Sequence, residues 1–394
     1  MALYLVLIQI EVRNTSFNPF TAKLKMYNTF MKKSRFLLIF LVALAIVAMI
    51  LDLWRPLERR LHPTSNPKSS EAPQVSILIS GLEVPWALSF LPDRDLLVTE
   101  RKGRVLLIDL QSGKPVIKVI AKINEVASVA ESGLSGIAVH PHFQQNHWIY
   151  LYYTYRRNGR YVNKVVRYEL MNNQLTNPKI ILDNILAART HDGGRIKFGP
   201  DGYLYITTGD AQVAKAAQNP KSLAGKILRI KDDGSIPADN PFPGSPVYSY
   251  GHRNSQGIAW DKAGNLWSTE HGSDAHDEIN LIKPGKNYGW PIVRGNEKRS
   301  DMESPILQSC EATWAPAGAA IIGEKLYFAG LRGESLYVFN IKTHDLHKYF
   351  EGEFGRLRAV VVGPDGLLYV TTSNRDGRGL PRPDEILVIN PKKL

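Results

Sequence analysis

From about Pro73 to the end of the chain, apolar and polar positions alternate in short runs, and the three- to four-residue spacing of amphipathic helices is almost absent. A polar turn followed by alternating aromatic and β-branched residues keeps returning. Its clearest copies are GPDGYLYITTGD (199–210) and GPDGLLYVTTSN (363–374), identical at eight of twelve positions. Weaker copies read LPDRDLLVTE (91–100), HPHFQQNHWIYLYYTY (140–155), WDKAGNLWSTEHG (260–272) and IIGEKLYFAGL (321–331). Several lead into another strand pattern, such as GRVLLIDL or ESLYVFNI. Six units over some 330 residues leave about 55 residues each, room for a four-stranded blade and its loops. The pattern predicts an all-β fold, a six-bladed β-propeller over residues 76–394. A β-sandwich or two stacked barrels would not explain six returns of one motif. In a propeller, loops from every blade converge on one mouth of the channel, so distant residues can share a site.

Residues 31–60 break this pattern. MKKSRFLLIFLVALAIVAMILDLWRPLERR is a basic cluster, then 16 uncharged apolar residues (36–51), then a mixed charged flank. At about 1.5 Å per residue such a helix spans roughly 24 Å, enough to cross if Leu53 and Trp54 sit at the interface. The expected organisation is a tail over 1–35, a transmembrane or signal-anchor segment over 36–54, a linker over 55–75 and then the propeller. Met31 is an alternative start, and a cleaved signal is the alternative to a retained anchor. Lys32, Lys33 and Arg35 would remain cytoplasmic, and the propeller would be exported to the periplasmic or extracellular face.

Composition adds exclusions. The chain of 394 residues is 44% hydrophobic and 22% charged, a globular balance. Half of the net charge of +12 lies in the first 60 residues, where nine Lys and Arg face three acids. The remaining arginines stand singly in separate loops, which argues against nucleic acid as a partner. Cys310 is the only cysteine, so no intrachain disulfide forms.

Five places carry chemistry that strand-building does not require. In THDGGRI, His191 is flanked by glycines that permit close backbone approach of a ligand, so it is either a turn residue or a base. In YSYGHRNSQGIAW, Arg253 and Asn254 suit carbonyl and carboxylate oxygens, or cap their own loop. TEHGSDAHDEINLIKPGKNYGWP (269–291) offers carboxylates and carbonyls of the kind Ca²⁺ takes, without regular EF-hand spacing. Arg332 in AGLRGESL is the fourth. Arg356 and Arg358 in FGRLRAVVV are the fifth; two apart on a strand, they face one side. Adjacent guanidiniums repel, so either an anion lies between them or they reach solvent.

Beyond these residues, the ordered set GLEVPWALSFLPD, SGLSGIAVHPHF, GHRNSQG, DEINLIKPGKNYGWP, WAPAG and GRLRAVVVGPDG resembles the pyrroloquinoline quinone (PQQ) dependent aldose sugar dehydrogenases, the soluble glucose and sorbosone dehydrogenase family. The resemblance runs from about Leu82 to Leu387. It implies PQQ over the mouth of a six-bladed propeller, with His191 as the base that takes the proton of a sugar's anomeric hydroxyl. Imidazole exchanges protons near neutrality, which suits that role. It further implies Arg253 and Asn254 at the ortho-quinone side, Arg332, Arg356 and Arg358 on the cofactor carboxylates, and Glu131 at a cofactor-contacting position where the family commonly has Gln. Gly272 and Ser273 would offer carbonyls to Ca²⁺, and Glu278 and the Tyr288 carbonyl match a second calcium position. Ser273 stands where Pro is common, Arg332 where Lys is common, and Thr190 where the glucose-oxidising branch has Asp. Arg299 falls at the distance where a cofactor-contacting Tyr is common. The implied partners are an aldose and an external electron acceptor. Glu131 and the altered loop after Pro291 would also fit a non-catalytic propeller that binds a glycan or protein. A calcium-dependent lactonase would need acids, not arginines, at the channel.

Overall fold

The computed structural model describes residues 75–379 and 381–394. The N-terminal tail, the expected membrane or signal segment and all but the last residue of the expected linker lie outside them. No helix among the described residues is long and apolar enough to cross a membrane. The helical turns are short, the five-residue Ala214–Gln218 and the four-residue Phe143–Asn146, the latter set within the HPHFQQNH turn.

The described residues form six four-stranded antiparallel sheets, the blades of a β-propeller. Their inner strands are Pro85–Phe90, Leu134–Val139, Ile196–Phe198, Ser255–Trp260, Pro316–Ile322 and Leu357–Val362, which line the ring in sequence order. The last packs back against the first. The sixth blade takes its outer strand, Val75–Leu82, from the other end of the chain, paired antiparallel with Asp384–Ile389. That pairing closes the ring without a covalent bond and begins at Val75, the last residue of the expected linker.

Apolar residues on both faces of a strand explain why the repeats read as aromatic and β-branched throughout. The strand Leu204–Thr208 is buried along its whole length. Leu204 and Ile206 join the core shared with the second blade, whereas Tyr205 joins the core shared with the fourth. The recurring turn is the hairpin between the inner strand and the second strand of each blade. In GPDG the Asp201 carboxylate accepts from Tyr203 N (3.2 Å) and from the Tyr205 hydroxyl (2.9 Å). Asp365 repeats both contacts with Leu367 N and Tyr369, at 3.0 Å each.

Five inner strands carry a bulge near their start, at Pro85/Ala87, Leu134/Ile137, Ser255/Gly257, Pro316/Ala319 and Leu357/Val360. A buried threonine on the neighbouring strand hydrogen-bonds backbone that lies at or beside the bulges. Thr99 and Thr371 accept from Ala87 N (3.1 Å) and Ala359 N (3.0 Å), and Thr269 donates to Ala317 O (2.8 Å). Thr207 accepts from Arg195 N at 3.0 Å. Trp86, Gln256 and Arg358 lie within these bulges, and with Arg195 they meet inside the channel. The Arg195 guanidinium lies 4.3 Å from the Trp86 ring centroid and donates to Gln256 O (3.0 Å). Arg358 lies 5.6 Å from the same ring and donates to Gln256 Oε1 at 3.3 Å. This layer divides the channel. One side is the mouth where inner strands begin and second strands end, and the other is the mouth beside the hairpin turns.

Candidate functional site

The first mouth gathers nearly all of the chemistry singled out in the sequence. His191 sits in the loop before Ile196–Phe198 with φ 64°, a left-handed conformation costly for a non-glycine residue. Its Nδ1 is 2.8 Å from Asp210 Oδ1. Asp210 ends the GPDGYLYITTGD repeat, is 1% exposed, and also accepts from Trp290 Nε1 at 2.8 Å. Burial pushes the Asp210 carboxyl up, but the bonds from His191 and Trp290 outweigh it and leave the group below its ordinary value. An ionised carboxylate can only accept, so Nδ1 carries the hydrogen and the neutral ring's lone pair is on Nε2. Nε2 has no hydrogen bond among the described residues, and the side chain is 21% exposed.

Glu131 reaches this loop from the second blade. Its backbone N donates to Arg189 O (2.9 Å) and its Oε2 accepts from His191 N at 3.4 Å. Oε1 pairs with Arg378, a residue the sequence reading did not single out. Burial pushes the Glu131 carboxyl up; the Arg378 charge pulls it back below its ordinary value, so it stays ionised.

Arg356 and Arg358 do lie side by side with an anion between them, and the anion belongs to the protein. Asp376 Oδ2 is 3.1 Å from Arg356 Nη2, 3.9 Å from Arg358 Nη2 and 3.1 Å from Arg378 Nη2. The alternative of a solvent-reaching edge is corrected accordingly: both arginines are buried, at 7% and 2% exposure. Burial pulls Arg358 down to about 9. Arg356 also donates to Leu331 O at 3.1 Å. Arg332, next in sequence, is exposed and forms no ion pair among the described residues. Arg299 is likewise not drawn in. It pairs with Asp301 inside its own exposed loop at 3.0 Å.

Arg253 and Asn254 stand where the fourth blade's inner strand begins. Arg253 N is held by Glu270, its Nη1 donates to His271 O (3.3 Å), and its guanidinium lies 5.4 Å from the Trp290 ring centroid. Asn254 is fully buried and its Oδ1 accepts from Gly193 N at 3.0 Å. Several polar atoms here are buried without a hydrogen-bond partner among the described residues: Arg253 Nε, Asn254 Nδ2, His271 Nε2, and Arg101 Nε and Nη1. Such atoms are costly unless something accepts from them. They suit an oxygen-rich, anionic group.

The expected calcium positions also converge. Gly272, Ser273, Glu278 and Tyr288 line one cavity of about 10 Å³, together with Glu270 and His276. Asp274, Ala275 and His276 all have positive φ (51°, 75° and 53°), and the Ala275 and His276 carbonyls fold back against Gly272. A Cβ placed on Gly272 would fall 2.2 Å from Ala275 O and 2.1 Å from His276 O. Burial, followed by the Glu270 charge, pushes Glu278 up to about 8. Glu278 and Glu270 bring carboxyl oxygens to this cavity, the oxygen chemistry a hard cation takes, and Arg253 and Arg294 line it too. No cluster of three or more His, Cys, Asp and Glu forms a metal site among the described residues, so carbonyls would supply much of the donor set.

Comparison with known proteins bears on this constellation. The Glucose / Sorbosone dehydrogenase family model matches residues 82–386. The aldose sugar dehydrogenase YliI of Escherichia coli is 31% identical over 353 residues, 81% of this chain and 93% of that protein. Quinoprotein glucose dehydrogenase B of Acinetobacter calcoaceticus is 36% identical over 253 residues, 56% of this chain and 52% of that protein. The solved PQQ-bound aldose sugar dehydrogenase of Streptomyces coelicolor superposes with a TM-score of 0.75 at 38% identity, over 81% of this chain and all (100%) of that one.

Proposed function

The chain belongs to the Glucose / Sorbosone dehydrogenase family, and from that premise we propose that it is a PQQ-dependent enzyme oxidising the anomeric hydroxyl of an aldose to the lactone. The observation that carries this reading is the His191–Asp210 pair, with Nε2 unpartnered, beside a set of buried donors that lack acceptors. PQQ, when bound, supplies the acceptor for the hydride that leaves the sugar C1. His191 Nε2 takes the hydroxyl proton, and Asp210 holds the ring in the accepting tautomer and stabilises the imidazolium that forms. Arg253 and Asn254 bind the quinone oxygens, and Arg356, Arg358 and Arg101 face the cofactor carboxylates. Gly272, Ser273, Glu278 and Tyr288 hold Ca²⁺. An external acceptor reoxidises the cofactor, and segment 36–54 places the propeller on the exported side of a membrane.

The test is an absorbance titration of apo-protein with PQQ, with and without chelator, followed by an aldose panel with an artificial acceptor. Saturable uptake, weakened by chelator and followed by sugar oxidation, is the expected result. His191→Ala should retain uptake and lose turnover. No uptake and no oxidation of any aldose would overturn the reading.

A further inference from the structure

Behind the Trp86–Arg195–Gln256–Arg358 layer, at the hairpin end of the channel, lies a chamber of about 410 Å³ to which all six inner strands contribute. Apolar side chains stand at the strand ends, Phe90, Val139, Phe198, Trp260, Ile321 and Val362, and about half of the exposed lining is polar. Two cationic side chains line it, Arg195 and Lys197, and no carboxylate does. They are two apart along the same stretch of chain, so both reach across the channel from the third blade. Lys197 Nζ donates to Ile258 O (3.0 Å) and Ala319 O (2.9 Å), which uses two of its three hydrogens. Arg195 spends Nε on Gln256 O, while its Nη2 is buried and has no partner.

The opposite mouth shows what neutralisation looks like in this fold, since Asp376 serves Arg356, Arg358 and Arg378 there. Arg195 and Lys197 have no such acid among the described residues. Burial alone pulls Arg195 down to about 9, and burial together with the Arg195 charge pulls Lys197 down to about 7. Arg195 is buried and Lys197 half-buried, so holding the two cations together without a counter-charge is costly, and an anion beside them lowers the cost.

We propose that this chamber binds a small monoanion, a halide or the carboxylate of a short apolar acid, between the Arg195 guanidinium and the Lys197 ammonium. The charged head would take the unused hydrogen on Lys197 Nζ within the field of the Arg195 guanidinium, and the apolar side chains at the strand ends would accept a short hydrocarbon tail. The site is separate from the mouth that holds His191, because the Trp86 layer lies between them. Binding should strengthen as pH falls through about 7, where Lys197 takes up its proton.

Bromide soaks of crystals of the protein, read by anomalous scattering, test the position; calorimetric titration with hexanoate at pH 6 and pH 8 tests the organic source. An anomalous peak in the chamber, within hydrogen-bond reach of Lys197 Nζ and on its Arg195 side, is expected. Hexanoate binding should be at least tenfold weaker at pH 8, lost in Lys197→Met and kept in Lys197→Arg. Unchanged melting temperatures would show that both variants fold; were Lys197→Met unfolded, the bromide peak and the Lys197→Arg titration would still decide. Bromide alone would identify an inorganic ion as the occupant, and hexanoate alone an organic acid. Absence of both from the chamber, or full binding by Lys197→Met, overturns the proposal.

Discussion

Asp210 turns His191 from a loop histidine into an oriented acceptor, and its worth can be measured. Asp210→Asn keeps the shape but allows the opposite tautomer, so kcat should fall by about 10²–10⁴ with PQQ uptake unchanged in an absorbance titration. Glu131 behaves differently, because its charge is already spent on Arg378. Glu131→Gln should release a positive charge at the mouth and tighten binding of the anionic cofactor severalfold at low ionic strength, an effect that shrinks as salt is added. Arg378→Ala should do the reverse. Asp192 carries a pH signature of its own: burial pushes its carboxyl up to about 6, against hydrogen bonds from Ser132, Ala188 and Asn163. A carboxyl raised on folding binds more protons in the native state than in the unfolded one, so its contribution to stability falls as pH rises from about 4 to about 6. Urea midpoints at pH 4, 5 and 6 should show the wild type losing stability relative to Asp192→Asn across that window. His191 was legible in the sequence because glycines beside a histidine mark an unusual turn. Arg378 was not, since it meets Glu131 across 247 residues of chain and nothing local distinguishes it.

At the scale of elements, the repeat unit carries more than a turn and a strand. Thr99, Thr207, Thr269 and Thr371 stand at the same place in four copies, and each supplies a hydrogen bond to inner-strand backbone of its own blade or the next. Thr99→Val or Thr371→Val should leave a buried backbone N–H unsatisfied and cost about 1–3 kcal/mol each, read as a lower denaturation midpoint with the slope unchanged. The threonines were visible as repetition. The bulges they serve were not, because a bulge depends on the partner strand's register, which no single strand encodes. The same limit explains Arg356 and Arg358. Their alternation correctly placed them on one side, but the acid between them, Asp376, enters from a separate turn after the next strand.

For the whole molecule, the strand Val75–Leu82 decides whether the ring closes. Removing residues 75–82 would strip Asp384–Ile389 of its partner, take Ile79 and Leu82 out of the core between the sixth and first blades, and expose apolar residues packed there such as Ile386. The shortened protein should melt at lower temperature and self-associate by light scattering, as an exposed edge pairs with another copy. The sequence by itself determined the six-fold repeat, the strand content, the family motifs and most of the residues now found at one mouth, because these rest on local periodicity and on side-chain chemistry. Only the tertiary structure decided which arginines are buried against Asp376 and which, like Arg332 and Arg299, stay outside. It alone decided that Asp210 orients His191, that Glu131 is neutralised, and that the channel is split by an Arg–Trp layer. Those outcomes depend on distances between blades, and ring closure sets such distances among residues that are far apart in the chain.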